Sequence, residues 1–502
     1  MAVSGDMVRA RSIKAEFDDG FEATPRGGAV LIEQVVRRLG LRRIFSDGLL
    51  ERAGAYSSAV VVEQVVEGLL CGGRGFQAAQ VLRRDPSLAL VFGHGRVAEE
   101  ATVYRAMCDL SGLGQRRRSD AYEPAGVQGG RLDMLGCDLM PRGLRRVVSA
   151  EPERMDESRR ASLLRTLGRV AVRCAQTLDH SQLGLMGFTP VFGDGSDLEV
   201  DGRCFDAARR DRNGNLSLKL MSVACGPVVA ALDVMEGARD EANNLVPLME
   251  HAHPVVEALG GSRPVLCLMD SAFAEKAVVD KARGHGWHYI IGANQWRGVL
   301  ERLAQDLHES EWSDQGRDDS RGWRESQVAV FRHQPEGWAE PQTVVARRWR
   351  TVDELPGAAW HCAFLFTDLK AGDLPRARVR KHGFAALLWM LYSTKQGREN
   401  HFKPLLSDLG LHHPPSGRLG ATQAFAFVAA MAANIHAVLS LRVVAKSDRG
   451  IRLWRFVRDY VTLAAQVVMA AGRQLMVNLA GAGLDEGFKD MWRHAFQTAR
   501  RL

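Results

Sequence analysis

A stretch late in the sequence, residues 392–408 (YSTKQGRENHFKPLLSD), concentrates side chains that bind metals and phosphates. Residues three and four apart on a helix lie above one another. In helical form the stretch would therefore carry four such side chains on one face: Tyr392, Lys395, Glu399 and Lys403. A carboxylate between two lysines stays ionised and suits a divalent cation beside a polyanion such as DNA. An exposed helix with ordinary i,i+4 ion pairs would show the same pattern, so this stretch alone leaves both interpretations open.

Two aspartates far upstream occupy positions that suit the same chemistry. Asp194 ends the first of a set of predicted strands, and Asp270 ends the fourth. Across residues 186–294 the predicted order is three strands, helix, strand, helix, strand, which is typical of a ribonuclease-H-like α/β sheet of mixed direction. The first and fourth strands are neighbours in such a sheet. Both aspartates would then point into one crevice, and the later helix would place Glu399 over it.

Three carboxylates in one crevice suit a pair of divalent ions about 3.5–4 Å apart. We therefore predict Asp194, Asp270 and Glu399 as catalytic residues and as ligands of two Mg²⁺ ions, for which Mn²⁺ can substitute. One ion would activate the attacking oxygen, and the other would stabilise the leaving 3′ oxygen of an in-line phosphoryl displacement. Structural alternatives exist, because a turn or cap role would explain Asp194 or its rival Asp197, and Asp270 could cap the helix that follows it.

The composition sets wider limits on function. The 502 residues include 66 Lys and Arg against 59 Asp and Glu, and this formal net charge of +7 permits a nucleic-acid partner without requiring one. The eight cysteines form no C-x-x-C pair, so neither a zinc module nor a disulfide framework is predicted. We find no apolar run near the roughly 18 residues that span a bilayer and no signal-peptide pattern, so we expect a cytoplasmic, nucleoid-associated protein with no membrane partner.

Changes in composition and hydrophobic periodicity divide the chain into six predicted regions. These are a flexible N-terminus (1–27), an all-helical DNA-binding region with a linker (28–180), the first part of the core (186–294), a β-strand-rich insertion (295–380), the second part of the core with the glutamate helix (381–440) and a helical C-terminal region (441–502). The helical region fits a helix-turn-helix DNA reader and a plain helical bundle equally well. The arginines at 116–118 are either phosphate contacts or a solvated charge run.

Taken together, these motifs resemble those of DDE transposases of bacterial insertion sequences, most closely the thirteen-eighty family within the IS-four superfamily. The resemblance is carried by VFGDGSDLEVDG, by CLMDSAFA with HGWHYIIGAN after it, by YSTKQGRENHFKPLLSDL and by GLLCGGRGFQAAQVLRRDPSL. The superfamily's third motif is Tyr, two residues, Arg, three residues, Glu, six residues, Lys. Tyr392 and Glu399 match it in register, Lys395 replaces the Arg, and Leu406 stands at the last position, with Lys403 as our candidate for the missing cation. Lysine in place of arginine forfeits a bidentate phosphate contact.

The resemblance implies that the protein binds terminal inverted repeats, nicks double-stranded DNA at the element ends and joins the freed 3′-OH to target DNA as at least a homodimer. It implies DNA or phosphate contacts from five residues of the third motif: Tyr392, Lys395, Arg398, Asn400 and Lys403. In relatives with a β insertion, a tryptophan there stabilises a flipped base, and Trp349 is a candidate without a matching motif. Two other hypotheses stay open: a transposase-derived DNA-binding protein without catalysis, and a ribonuclease-H-like DNA nuclease. The presence of all three acids argues against the first, and the large helical N-terminal module argues against the second.

Overall fold

The N-terminal part of the molecule is mainly helical. The computed structural model describes residues 12–18, 24–52, 54–113, 154–179, 184–200, 205, 207–210, 214–237, 241–354, 358–398, 404–470, 474–481 and 483–502. After strand β1 (Ser12–Asp18) come helices α1 (Val30–Arg38), α2 (Leu41–Gly48), α3 (Ser58–Leu70), α4 (Gln80–Arg83), α5 (Pro86–Val91), α6 (Glu100–Leu110) and α7 (Glu157–Gln176). The predicted cap of α3 is confirmed, because the Ser57 side chain accepts a hydrogen bond from the Val60 N–H at 3.3 Å.

A ten-stranded mixed sheet forms the centre of the molecule. Its strands are β2 (Thr189–Glu199), β3 (Arg209–Arg210), β4 (Leu216–Cys225), β5 (Val228–Glu236), β6 (Val265–Met269), β7 (His288–Gly292), β8 (Ser313–Asp314), β9 (Trp323–His333), β10 (Gln342–Thr351) and β11 (His361–Thr367). Antiparallel pairs join β2 to β4 and β4 to β5, whereas β6 pairs in parallel with both β2 and β7. The prediction that the first and fourth long strands of the core are neighbours is therefore confirmed.

The strand-rich stretch after β7 continues this same sheet. β11 pairs antiparallel with β7, and β10, β9 and β8 follow outward in that order. The edge of β7 offers unpaired backbone groups, and pairing with β11 satisfies them. Strands β2 to β7 and the outer strands therefore form one continuous sheet.

Helices cover both faces of the sheet. In chain order they are α8 (Glu241–Gly260), α9 (Lys276–Gly284), α10 (Arg297–Gln305), α11 (Arg376–His382), α12 (Phe384–Arg398) and α13 (Leu419–Val438). On one face, a cluster of buried residues joins α12 to β2, β6 and β7: Leu387, Leu388, Leu391, Phe192, Leu268 and Ile290. On the other, α13 packs against β5 and α7. This arrangement fixes α12 against one face of the sheet, where it contacts β6, β7, β9 and β10.

One helical run corrects the expectation that no apolar segment reaches membrane-spanning length. The run Leu419–Val443 is long and apolar enough to cross a membrane by length and composition, and 89% of its most apolar window is buried inside the protein. The Asn434 side chain accepts from the Val229 N–H at 2.7 Å and donates to the Val229 carbonyl at 3.0 Å. These bonds tie the helix to β5, so packing against the sheet accounts for its apolar composition.

The two ends of the chain meet in a second sheet, which corrects two expectations. After α14 (Leu453–Phe456), strands β12 (Ala465–Ala470) and β13 (Gln474–Ala480) form a hairpin before α15 (Glu486–Arg501), and β1 pairs in parallel with β13. The C-terminal region is therefore not all helical, and residues 12–18 are a strand within the stretch predicted to be flexible. The physical reason is alternation: Leu475, Val477 and Leu479 are fully buried at a period of two.

Candidate active site

Asp194 lies within β2, and Asp270 directly follows β6, the parallel neighbour of β2. The prediction that Asp194 ends its strand is wrong, because β2 continues to Glu199 by pairing with β4. The register of β2 and β6 pairs Phe192 with Leu268 and Gly193 with Met269, and the two aspartates are the next residues on each strand. Side chains at matched positions of parallel strands project from the same face of the sheet. Asp194 is half-buried, and the Asp270 side chain is 46% exposed. Both carboxylates therefore stand side by side on the face of the sheet that α12 covers.

Helix α12 places a buried cation against the second aspartate. The Lys395 side chain is only 2% exposed, and its Nζ lies 2.8 Å from Asp270 Oδ1. A charge-assisted hydrogen bond of this length holds a carboxylate in one orientation. Lys395 reaches this position because Leu391, one turn earlier on the helix, is buried against the sheet. The structure thus brings Asp270 and Lys395 into direct contact.

Tyr392 lies against the end of β7, close to the same aspartate. A Cβ atom on Gly292 would be 2.9 Å from Tyr392 Oη and 3.0 Å from the backbone nitrogen of Ser271. Only a glycine leaves room for this approach, and Ser271 is the residue after Asp270. The Tyr392 ring also meets Trp389 edge-on, with ring centroids 6.0 Å apart. Tyr392 therefore packs close to the backbone that follows Asp270.

The rival aspartate Asp197 has a different setting. It lies an odd number of residues from Asp194 on β2 and so projects from the opposite face of the sheet. Its Oδ1 accepts from Lys219 Nζ at 3.0 Å, and Lys219 is buried. Asp194 instead accepts a local hydrogen bond from the Gly195 N–H at 2.9 Å. Only Asp194 shares a face with Asp270.

Several predicted site residues fall beyond what the structure describes. Arg398 is the last described residue of α12, its side chain is not described, and the next residue is Glu399. Glu399, Asn400 and Lys403 lie outside the described residues, as do the arginines at 116–118. Their assignments stay predictions from sequence.

Trp349, the candidate for base stacking, lies in a row of stacked rings on the outer strands. Its ring is 5.1 Å from that of Trp323 and 5.7 Å from that of His361, with interplanar angles of 22° and 23°. Contacts of this kind stabilise the packing of neighbouring strands. The stacking with two neighbours gives Trp349 a packing role.

A buried ionic cluster in the helical region was not anticipated from the sequence. Ligand atoms of Glu63, Glu67 and His94 lie within 4.8 Å of one another, a geometry that could hold a metal ion. Arg42 already binds this cluster: it donates to Glu63, lies 3.3 Å from Glu67 and forms two bonds of 2.8 and 2.6 Å to Glu33. The available signal was the pair of glutamates four residues apart on the apolar helix α3.

The protonation of this cluster reflects its burial. Burial raises the pKa of Glu67 to about 7, although His94 and Arg42 oppose that effect. The pKa of His94 is also raised, because the neighbouring Glu67 outweighs the lowering effect of burial. His94 Nε2 lies 2.5 Å from Glu67 Oε2. Arg42 supplies a cation that these carboxylates need, so we interpret the cluster as a structural network.

A comparison with known protein families supports the chemistry predicted for this site. Residues 207–435 match the family described as transposase DDE domain. The matched span contains Asp270, Tyr392 and Lys395 and begins after Asp194. No curated protein matches the chain. The family match supports a DDE transposase, a metal-dependent enzyme class whose partner is DNA.

Proposed function

We propose that this protein is a transposase of the thirteen-eighty family within the IS-four superfamily, with a ribonuclease-H-like core. It binds the terminal inverted repeats of an insertion sequence, cleaves DNA at the element ends and joins the 3′-OH ends to target DNA. The observation that carries this proposal is the placement of Asp194 and Asp270 at matched positions of the parallel neighbours β2 and β6, under a helix whose Lys395 binds Asp270. The strand order β5, β4, β2, β6, β7 supports the core assignment.

The carboxylates fit the metals that this reaction requires. Asp194, Asp270 and Glu399 would hold two Mg²⁺ ions, with Mn²⁺ as a substitute, because these ions prefer hard oxygen ligands. The partial exposure of both aspartates leaves them open to a hydrated ion and to a DNA strand. When bound, the ions activate the attacking oxygen and stabilise the leaving 3′ oxygen.

Helical periodicity supports Glu399 as the third ligand. Lys395 reaches Asp270 from the face of α12 that covers the sheet. A residue four positions further along a helix lies on the same face, one turn on. Continuation of α12 by one residue beyond its last described position would therefore place Glu399 next to Lys395, on the side of the aspartates.

The remaining residues of the third motif would position the DNA. Lys395 orients the Asp270 carboxylate, and Tyr392 fixes the backbone that follows it. We assign phosphate contacts near the reacting strand to Arg398, Asn400 and Lys403. Since two element ends must be joined to one target, the working form is a homodimer in a synaptic complex. The helices of residues 28–180 recognise the repeats, and the protein works in the cytoplasm, on the nucleoid.

Cleavage of a labelled duplex that carries the element's own terminal repeat tests this proposal. We expect nicking at the repeat boundary with Mg²⁺ and none with EDTA. Asp194→Asn, Asp270→Asn and Glu399→Gln should each abolish nicking, whereas Asp197→Asn, on the opposite face of β2, should retain it. Nicking that persists in Asp194→Asn or Asp270→Asn would overturn the site. Tight binding without nicking by the unmodified protein would favour the DNA-binding alternative.

A further inference from the structure

Arg347 is a partly buried arginine on the sheet face that carries the candidate active site. It lies on β10 two residues after Val345, which packs in the same cluster as α12. Its guanidinium carbon lies 4.5 Å from the ring centre of Trp389 and 5.3 Å from that of Trp323. Its Nε is buried without a hydrogen-bond partner. Among the described residues, no carboxylate forms an ion pair with Arg347.

The surroundings of Arg347 favour binding of an anion. Burial, with a further contribution from Arg321, lowers the pKa of Arg347 to about 10, and only Asp318 opposes this shift. A partly buried guanidinium whose Nε–H lacks an acceptor costs free energy unless a ligand supplies one. A phosphodiester group supplies both a negative charge and oxygens matched to the guanidinium donors.

A second arginine, Arg321, contacts the same tryptophan as Arg347. The Arg321 guanidinium carbon is 4.8 Å from the ring centre of Trp323, and its Nη2 donates to Ser393 Oγ at 3.0 Å. Arg321 and Arg347 therefore both contact Trp323 and both touch α12, through Ser393 and Trp389 respectively. Two arginines therefore lie beside the helix that orients Asp270, and Asp318 forms an ion pair with Arg321 at 3.4 Å.

The distance along α12 between Trp389 and Lys395 relates the position of Arg347 to that of Asp270. Trp389, which contacts Arg347, precedes Lys395, which contacts Asp270, by six residues. Six residues of helix correspond to about 9 Å along its axis. A DNA strand with its scissile phosphate at the aspartates could therefore place a neighbouring phosphate beside Arg347. The indole rings limit the freedom of the guanidinium before binding, so less entropy is lost when it binds.

We propose that Arg347 anchors a backbone phosphate of the DNA strand that enters the active site. This inference rests on the proposed function, because it takes DNA as the substrate. It adds a positioning residue outside the third sequence motif, on the strand-rich part of the chain. Because the contact is to a phosphate, it contributes affinity and register without reading sequence.

The test is the salt dependence of DNA binding by the full-length protein in EDTA, which prevents cleavage. The probe is a labelled terminal-repeat duplex, titrated at several salt concentrations. Each phosphate contact contributes about 0.9 to the slope of log K against log salt, so Arg347→Gln should reduce the slope by about one and weaken binding about tenfold at low salt. Arg332→Gln, at an exposed arginine on neighbouring β9, removes the same charge and should leave the slope unchanged.

The outcomes separate this inference from the proposed function. Binding by the unmodified protein, with the same slope in Arg347→Gln, overturns the phosphate anchor and leaves the transposase proposal standing. No binding by the unmodified protein overturns both. Arg347→Lys guards against a folding defect: it keeps the charge, so it should retain the slope but bind more weakly, because lysine cannot make the bidentate contact. Equal affinity of Arg347→Lys and the unmodified protein also contradicts the anchor.

Discussion

Gly292→Ala tests whether the packing behind Asp270 matters for catalysis. The added Cβ would lie 3.0 Å from the Ser271 nitrogen, 3.3 Å from the Ser271 Cα and 2.9 Å from Tyr392 Oη. The tyrosine can swing aside, but the Ser271 contacts are to backbone and require the chain itself to shift. Because Ser271 follows Asp270 directly, this shift also moves the carboxylate.

The size of the effect follows from these distances. Ordinary van der Waals contact begins near 3.4 Å, so the backbone must move by about 0.4 Å, and since a misplacement of 1 Å can cost about 100-fold, we expect a five- to tenfold slower cleavage. Overpacking of this kind costs about 1–3 kcal/mol of folding free energy. The melting temperature should fall by a few degrees while DNA binding stays unchanged.

Single-turnover cleavage of the terminal-repeat duplex, with melting curves and binding in EDTA, would measure these effects. Gly298→Ala is the matched control, because a Cβ there meets nothing within 4 Å. Gly193→Ala should be intermediate, since its contact at 2.8 Å is with the flexible end of Leu245. Cleavage by Gly292→Ala at the unmodified rate, with the melting temperature lowered, would refute the link between this packing and Asp270.

Three further predictions concern buried titratable side chains. Arg42→Met should destabilise the helical region by about 3–5 kcal/mol, because it leaves buried carboxylates without a cation; hydrogen exchange in α3 would measure this, and an equal effect of Arg43→Met, at an exposed position, would contradict it. Burial lowers the pKa of His436 to about 4, so the folded protein binds fewer protons than the unfolded chain below about pH 6.5, and stability should fall as the pH drops from there toward 4. Melting curves should show a smaller difference between pH 7 and pH 5 in His436→Phe; an unchanged difference would exclude His436 as the cause. Lys395→Gln should slow cleavage at least tenfold by freeing the Asp270 carboxylate, whereas Lys370→Gln, at an exposed position, should not.

The core of the fold could be predicted because its signals are local. Hairpin turns, buried apolar runs and a polar residue at a strand end are visible in the sequence, and they placed Asp270 after β6 and Asp194 beside it. Lys395 was selected by helical spacing and by its place in the third motif, and its contact with Asp270 needed the packing of α12 on the sheet. The choice between Asp194 and Asp197 needed the register of β2, which a one-residue slip would reverse.

Features that depend on distant partners were missed. Nothing local indicates that β11 pairs with the free edge of β7, or that β1 pairs with β13 at the other end of the chain. The cluster of Glu63, Glu67 and His94 was missed because Arg42 and His94 reach α3 from separate segments. Pairings across long separations follow from tertiary packing, and sequence periodicity does not report them.

The most direct test of the central claim is to locate the metal on the protein. Fe²⁺ bound in place of Mg²⁺, with ascorbate and peroxide, generates radicals that cut the backbone near the ion, and mass spectrometry identifies the cuts. We predict cuts next to Asp194, Asp270 and Glu399, suppressed by excess Mg²⁺ and by Asp270→Asn. Cuts confined to the neighbourhood of Glu63 and His94, with none near Asp194 or Asp270, would contradict the proposed active site.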